Sequence, residues 1–256
     1  MDDTLDAIHE RAALDAIAAM FPERPLLVHH DREGRRFTGK KPTLDLNHPW
    51  PCDHAAPVVL RGVRPNEAYF EADNATFEEQ ADAFRKIEKV VGREYFLYAW
   101  SGTKSIHGSF WFDPSTLPAP DGIDGTKVDV FKVARLVLLA EIPRLAGVSI
   151  TYDKSNVNWH IDTDGHSVRW AGTKNKNEVD PFTYLDEIPN EKPTGYEWRL
   201  PSGMPKVWPI PTALRKAIYV ACLQEQEAVL KRETTRAEVT DERIRRFREV
   251  YGTNWQ

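Results

Sequence analysis

Cysteine is scarce in this sequence, and long apolar runs are missing. Cys52 and Cys222 are the only cysteines in 256 residues, so we expect no disulfide framework and a reducing compartment. No apolar run approaches the roughly 20 residues that a membrane-spanning helix requires. The N-terminal stretch is acidic and amphipathic, without the basic start and apolar centre of a secretion signal. We therefore expect a cytoplasmic protein that does not contact a membrane.

An excess of positive charge is missing as well. The net charge of −5 argues against a generally basic surface for binding nucleic acid. It does not exclude a local basic groove, because a polyanion responds to the local field. Hydrophobic residues make up 41% of the chain and aromatic residues 11%, which is typical of a folded globular protein. The length favours one domain, or one domain with a small appendage.

Two familiar ligand-binding motifs are incomplete. Gly34–Lys40 fits the start of a phosphate-binding P-loop, but Lys41 replaces the Ser or Thr that would bind magnesium, and Pro42 stands where a helix should begin. We interpret residues 31–42 as a basic hairpin. Residues 43–57 contain two histidines and a cysteine but no paired zinc-ligand spacing, which favours an irregular Pro-rich loop.

Hydrophobic periodicity predicts a mixture of helices and strands. The predicted helices cover 2–21, the stretch between a capping box at Thr76/Glu79 and Gly92, 126–142, 212–233, and a last one that begins at Asp241. The predicted strands cover 26–28, 58–63, 68–73, 95–101, 105–112, 148–153, 157–161 and 167–170. This order indicates an α+β fold with helices at its C-terminal end.

The stretch Tyr98–Phe112 is predicted to be a β-hairpin with a tight loop at Gly102–Lys104. Alternation on the outgoing strand puts Ser105, His107, Ser109 and Trp111 on one face, and Ile106, Gly108, Phe110 and Phe112 on the other. The plainest interpretation is a strand with one solvated face. The alternative is a phosphate site, in which loop N–H groups and the ammonium of Lys104 act together with the side chains of Ser105 and His107.

Two acidic residues fall where a strand should be apolar. Glu71 and Asp73 are two residues apart on the predicted strand, so both carboxylates point the same way. At about 4 Å and an effective dielectric near 20, the two charges would repel by about 4 kcal/mol. Protonation or a divalent cation would relieve this, and hard carboxylate oxygens suit Mg²⁺ or Mn²⁺. A solvated sheet edge is the alternative interpretation.

Further charged residues follow at other strand ends. Asp153 ends a predicted strand and is a third candidate metal ligand, with Asp162 and Asp164 as rivals near a predicted turn. Arg169 precedes a small polar loop that contains Lys174 and Lys176, a second phosphate-facing set. Carboxylates for metal ions beside donors for phosphate are typical of phosphoryl or nucleotidyl transfer.

The ordered set is similar to the archaeo-eukaryotic primase superfamily, and most of all to the primase-polymerases of phages and mobile elements. The motifs that carry the resemblance span about residues 66–177: Glu-x-Asp at 71–73 with FEEQ at 77–80, Ser-x-His at 105–107, a single acid, and Arg169 before a Gly-Thr-x-Asn-Lys-like loop. The resemblance implies a two-part α/β core with an RRM-like sheet that bears the acids. It also implies a bacterial or archaeal cell, or a phage-infected one, as the location.

The resemblance also implies roles for single residues. Glu71, Asp73 and Asp153 would be catalytic and would bind two Mg²⁺ or Mn²⁺ ions. Ser105 and His107 would hold the triphosphate of the incoming nucleotide. Arg169, Lys174 and Lys176 would contact nucleotide or template phosphates, and Lys104 joins the nucleotide-binding set from its place in the loop.

On this basis we expect residues 1–177 to form a primase-polymerase core, 178–211 a Pro-rich arm that wraps it, and 212–256 a helical appendage. The substrates would be ribo- or deoxyribonucleoside triphosphates and the partner a single-stranded DNA template, with a replicative helicase as a further candidate. The product would be a primer made or extended for DNA replication.

Two other functions remain open from the sequence. A metal-dependent nuclease or phosphodiesterase could use the same acids, and a non-catalytic single-stranded nucleic-acid-binding protein could share the scaffold. The nucleotidyl-transfer hypothesis makes one geometric demand: the face that carries Ser105 and His107 must look onto the same cleft as the carboxylates of Glu71 and Asp73.

Overall fold

The computed structural model describes a subset of the chain. The described residues are 12, 15, 19–20, 26–28, 59–102, 104–117, 121–154, 167–169, 183–193, 201 and 203–251, with backbone alone at 26–28, 59–61, 167–169, 247 and 250–251. Of the helix predicted over 2–21, only residues 12, 15, 19 and 20 are described, and they are helical. The predictions for 31–57, 157–161 and 171–177 lie outside the described residues.

Within the described part the fold mixes helices and strands, as the α+β prediction requires. The strands are β1 (Leu26–Val28), β2 (Val59–Gly62), β3 (Glu67–Phe70), β4 (Phe96–Trp100), β5 (Ile106–Trp111), β6 (Ser167–Arg169) and β7 (Thr183–Leu185). The helices are α1 (Phe77–Val91), α2 (Val130–Leu145) and α3 (Thr212–Tyr251). In the described residues, none of these helices has the length and apolar character needed to cross a lipid bilayer.

The strands form two antiparallel sheets. The smaller has the order β1-β2-β6 and the larger the order β3-β5-β4-β7. From β3 to α2 the chain runs β-α-β-β-α, the first five elements of the β-α-β-β-α-β motif of ferredoxin-like folds. β5 is a central strand of the larger sheet, since Gly108 pairs with Phe70 of β3 on one side and Tyr98 of β4 on the other.

The main core lies between the helices and one face of the larger sheet. Apolar side chains from β3, β4, β5, α1, α2 and the first part of α3 form one buried cluster. Phe84 of α1 packs edge-on against Tyr98 with ring centroids 5.2 Å apart, and Phe112 stacks on Phe131 of α2. A Cβ at Gly108 would lie 2.6 Å from Cε1 of Phe84, so a glycine is required where this helix crosses the sheet.

The predicted capping box of α1 is confirmed. The hydroxyl of Thr76 accepts a hydrogen bond from the Glu79 amide at 3.2 Å, and the Glu79 carboxylate accepts one from the Thr76 amide at 2.8 Å. Gly92 ends the helix with φ +104°, which L side chains rarely adopt. Both ends of α1 could therefore be predicted from local sequence.

Two helix predictions need correction. α2 begins at Val130 and not at residue 126, because Asp124 accepts hydrogen bonds from Thr126 in a turn and Asp129 caps the helix through the Lys132 amide. The two helices predicted from 212–233 and from Asp241 are one continuous helix of 40 residues. Asp241 is a good capping residue, but nothing breaks the helix before it, so it lies within α3.

Residues 178–211 were predicted to be irregular, and their described parts pack on the larger sheet. β7 lies here and extends the sheet by pairing with β4, a strand that the sequence analysis missed. The guanidinium of Arg85 donates to the carbonyl of Pro189 at 2.7 Å, and the amide of Trp208 donates to the carbonyl of Trp111 at 2.7 Å. The ring of Trp208 meets Phe110 edge-on.

Candidate functional site

The two acids follow β3 instead of lying on it. The strand was predicted to run to Asp73 but ends at Phe70, so Glu71 and Asp73 occupy the segment between β3 and α1. The Glu71 side chain is largely buried at 19% exposed, whereas that of Asp73 is 47% exposed. A turn closed by the Ala75 amide on the Ala72 carbonyl carries the chain into the helix.

The predicted hairpin is confirmed, with β4 and β5 paired from Phe96↔Phe110 to Trp100↔Ile106. Its loop is closed by a hydrogen bond from the Ser101 amide to the Ser105 carbonyl. The amides of Lys104 and Ser105 both donate to the hydroxyl of Ser101, at 3.3 and 2.9 Å. The expectation that the loop amides are available to phosphate is therefore wrong for Lys104, since its amide is used inside the loop.

The alternation predicted for β5 is confirmed, but its polar face is not solvated. Ile106, Phe110 and Phe112 belong to the core cluster. Ser105, His107 and Ser109 are also buried, at 2%, 8% and 3% exposed. Buried hydroxyl and imidazole groups require hydrogen-bond partners, so this face needs a polar network.

A chain of hydrogen bonds runs along that face. The Tyr69 hydroxyl on β3 bonds Nδ1 of His107, Nε2 of His107 lies 2.9 Å from the Ser105 hydroxyl, and that hydroxyl donates to Ser101 at 3.2 Å. With Tyr69 as the donor to Nδ1, the neutral ring carries its proton on Nε2. The network thus fixes the His107 ring and directs Nε2 toward the carboxylate side.

The donor side of the site, which carries Lys104, Ser105 and His107, faces the acid side, which carries Glu71 and Asp73. Nε2 of His107 lies 3.6 Å from Oε1 of Glu71, an electrostatic contact longer than a hydrogen bond. Nζ of Lys104 forms an ion pair of 3.0 Å with Oδ2 of Asp73. The face with Ser105 and His107 therefore looks onto the Glu71 carboxylate, as expected, and the neighbouring hairpin loop contacts the Asp73 carboxylate through Lys104.

Asp153 joins the same region through the backbone. The segment 148–153 was predicted as a strand but is not one in the structure. The Asp153 amide donates to the Glu71 carbonyl at 2.8 Å and joins the segment to the residue that follows β3. Tyr152 anchors it, packed edge-on against Phe70 with centroids 4.9 Å apart. Burial raises the pKa of Tyr152, so its hydroxyl stays neutral. The exposed side chain of Asp153 thus starts beside Glu71.

The acidic residues suit a hard divalent cation as ligands, although their side chains do not converge on one point. Three carboxylates, of Glu71, Asp73 and Asp153, supply the oxygen ligands that Mg²⁺ and Mn²⁺ prefer. Across the described residues, no group of three His, Cys, Asp or Glu side chains already converges as a metal site. Asp73 instead forms an ion pair with Lys104, so a cationic group already lies against its carboxylate.

Of the remaining predicted site residues, the structure describes only Arg169, and only its backbone. The backbone of Arg169 lies in β6, paired with Leu60 of β2 in the smaller sheet. Lys174, Lys176 and the rival acids Asp162 and Asp164 lie outside the described residues.

Three residues of the site were missed by sequence reasoning: Tyr69, Gln80 and Ser101. Tyr69 shares the alternation of Glu71, and Gln80 falls on the apolar stripe of α1 between Phe77 and Phe84, where it is fully buried. A polar residue at a buried helical position is a signal that could have identified Gln80. Ser101 gives no such signal, since serine is ordinary in a turn.

Comparison with protein-family models gave no match, and comparison with curated proteins gave no significant relative.

Proposed function

We propose that this protein is a DNA primase or primase-polymerase, a template-dependent nucleotidyltransferase that makes or extends primers. One observation carries the proposal: Ser-x-His and Glu-x-Asp meet at one site, with His107 Nε2 3.6 Å from Glu71 Oε1 and Lys104 Nζ 3.0 Å from Asp73 Oδ2. Donors for a triphosphate beside carboxylates for metal ions are the two halves that nucleotidyl transfer needs.

The topology supports the same proposal. An RRM-like sheet is expected of the family that the sequence resembles, and the β-α-β-β-α order from β3 to α2 is compatible with it. Segment 148–153 follows α2 and bonds the end of β3 through Asp153. Three motifs that lie far apart in the sequence therefore meet at one end of β3.

In this proposal the acids hold the metal ions. Glu71, Asp73 and Asp153 would bind two Mg²⁺ or Mn²⁺ ions, which lower the pKa of an attacking 3′-hydroxyl and stabilise the departing pyrophosphate. Lys104 would exchange its contact with Asp73 for a phosphate oxygen of the incoming nucleotide. Ser105 and His107 would bind the triphosphate, with the His107 ring held by Tyr69. Arg169, Lys174 and Lys176 would contact further nucleotide or template phosphates.

The test is primer synthesis on single-stranded circular DNA, with NTPs or dNTPs and either Mg²⁺ or Mn²⁺. We expect metal-dependent incorporation by the wild-type protein and none by Asp73→Ala. Asp82→Ala is the matched control, because Asp82 is an exposed acid on α1 that pairs with Lys86 and not with the site. Normal polymerisation by Asp73→Ala would overturn the proposal.

The same reaction distinguishes the other two functions. Degradation of labelled DNA without added nucleotides would indicate a nuclease. DNA binding that survives loss of both Glu71 and Asp73, with no product under any condition, would indicate a non-catalytic binding protein. The preference between NTPs and dNTPs, and any stimulation by a replicative helicase, would follow from the same assay.

A further inference from the structure

Gln80 joins the two halves of the site. Its side chain is fully buried at the first turn of α1, and its amide makes three hydrogen bonds. Nε2 donates to the carbonyl of Ala75 at 2.8 Å and to the carbonyl of Lys104 at 3.1 Å, while Oε1 accepts from the amide of Ile106 at 2.8 Å. Both N–H groups of the amide are thus used, and one side chain bridges two loops.

The partners of Gln80 lie beside residues of the candidate site. Ala75 ends the turn that contains Asp73, and Lys104 and Ile106 flank Ser105 in the hairpin. Gln80 lies on a helix that is capped at Thr76 and packed on the core, so its backbone is held in place between the two loops. A residue with this placement sets the position of the turn that contains Asp73, called the acid loop, relative to the loop between β4 and β5, called the hairpin loop.

We propose that Gln80 is a positioning residue that keeps the acid loop and the hairpin loop in register, so that metal and triphosphate bind together. This inference depends on the proposed function. It predicts that Mn²⁺ and a nucleoside triphosphate strengthen each other's binding in the wild-type protein, and that Gln80 transmits part of this coupling. Coupling between two ligands is reciprocal, so it can be measured from either one.

The test variant is Gln80→Met, which keeps an unbranched side chain of similar length but removes all three hydrogen bonds. The matched control is Asn66→Leu. The Asn66 amide donates to the carbonyl of Phe112 at 2.8 Å, beside the opposite end of β5, so its loss weakens the same strand away from the site. Both variants are expected to lower the melting temperature, and measurements are made well below it.

Binding of Mn²⁺ is measured by electron paramagnetic resonance with and without dATP, and dATP binding by calorimetry with and without Mn²⁺, in the absence of template. In Gln80→Met we expect each ligand alone to bind within about threefold of wild type, whereas the coupling between them falls by about tenfold or more. The Asn66→Leu protein should keep the wild-type coupling. Unchanged coupling in Gln80→Met, or an equal loss in Asn66→Leu, would overturn the inference.

Hydrogen exchange separates this inference from the proposed function, since it needs no ligand. In Gln80→Met, amides of both 72–76 and 101–106 should exchange faster than in wild type, and in Asn66→Leu neither segment should change. If only one segment or neither responds, Gln80 does not link the loops. A wild-type protein that binds neither Mn²⁺ nor dATP would instead count against the proposed function, and the exchange result would still decide the role of Gln80.

Gln80→Glu provides a second variant of the same length and shape. Its carboxyl keeps an acceptor for the Ile106 amide but loses the amide N–H groups that bond Ala75 and Lys104. We expect reduced coupling with the Ile106 amide still protected from exchange. Coupling equal to wild type in this variant would contradict the inference, whatever the fate of Gln80→Met.

Discussion

The two sides of the candidate site are built differently. His107 lies on the central strand β5 and Ser105 directly precedes that strand. Both are buried and are tied to Tyr69 and Ser101 by hydrogen bonds. Asp73 and Asp153 lie outside regular strands and are exposed. Buried groups in a satisfied network are held in place, whereas exposed carboxylates can move to accept an ion. The difference teaches that the fold fixes the proposed triphosphate donors and leaves two of the three proposed metal ligands, Asp73 and Asp153, adjustable.

The largest expected effect comes from the acid side. Glu71→Gln keeps the size of the side chain but removes a charge, so metal-dependent nucleotide incorporation should fall by at least about 10²-fold. Because glutamine keeps a polar group of the same shape beside Nε2 of His107, the melting temperature should change little. Steady-state incorporation and thermal unfolding of the same preparation check both points. Loss of folding together with loss of activity would show that the acid side is as structural as the donor side.

The strand that carries His107 should respond in stability first, through its core-facing residue Gly108. Gly108→Ala places a Cβ 2.6 Å from Cε1 of Phe84 and 3.1 Å from Cε1 of Tyr98, both of them fully buried in the core. Overpacking of this kind costs about 1–3 kcal/mol in the free energy of unfolding. Urea denaturation measures the loss. The control is Gly125→Ala, where no atom lies within 4 Å of the added Cβ and little change is expected.

Tyr69→Phe tests whether the His107 ring is held by its hydroxyl partner. Tyr69→Phe removes the partner on β3 of the buried Nδ1 of His107, which costs about 1–3 kcal/mol. We expect the KM for nucleotide to rise by up to about tenfold, while Mn²⁺ binding without nucleotide stays constant. An equal fall in Mn²⁺ affinity would show that the two sides are not separate.

The smallest expected effect is a gain in Mn²⁺ affinity, whereas the preceding variants lose activity, stability or nucleotide affinity. Lys104→Met removes the ion pair with Asp73, whose partners are 60% and 47% exposed. An exposed pair contributes about 0.2–1 kcal/mol, so freeing the carboxylate should strengthen Mn²⁺ binding by up to about fivefold. Titration with Mn²⁺ alone measures this gain, and nucleotide binding should weaken in the same variant. Weaker Mn²⁺ binding would place Lys104 among the residues that support the acid side.

The sequence predicted features that depend on near neighbours. The Thr76/Glu79 capping box, the stop at Gly92 and the alternation of β5 follow from residues within a few positions of one another. The end of β3 did not, because Glu71 shares the strand's alternation, whereas the pairing of β3 with β5 stops at Phe70↔Gly108. The contacts of Gln80 span 24 and 26 residues, and periodicity has no means of locating such partners.

The continuity of α3 has a mechanical consequence. At about 1.5 Å per residue its 40 residues extend roughly 60 Å. The inner part contacts α2 and the 121–127 turn through Cys222, Gln226 and Glu233, but residues 230–241 are all exposed. Farther out, pairs such as Arg246–Glu242 support the helix locally. We expect this helix to unfold from its C-terminal end first, at a lower temperature in high salt than in low salt, without disturbing the core of the protein.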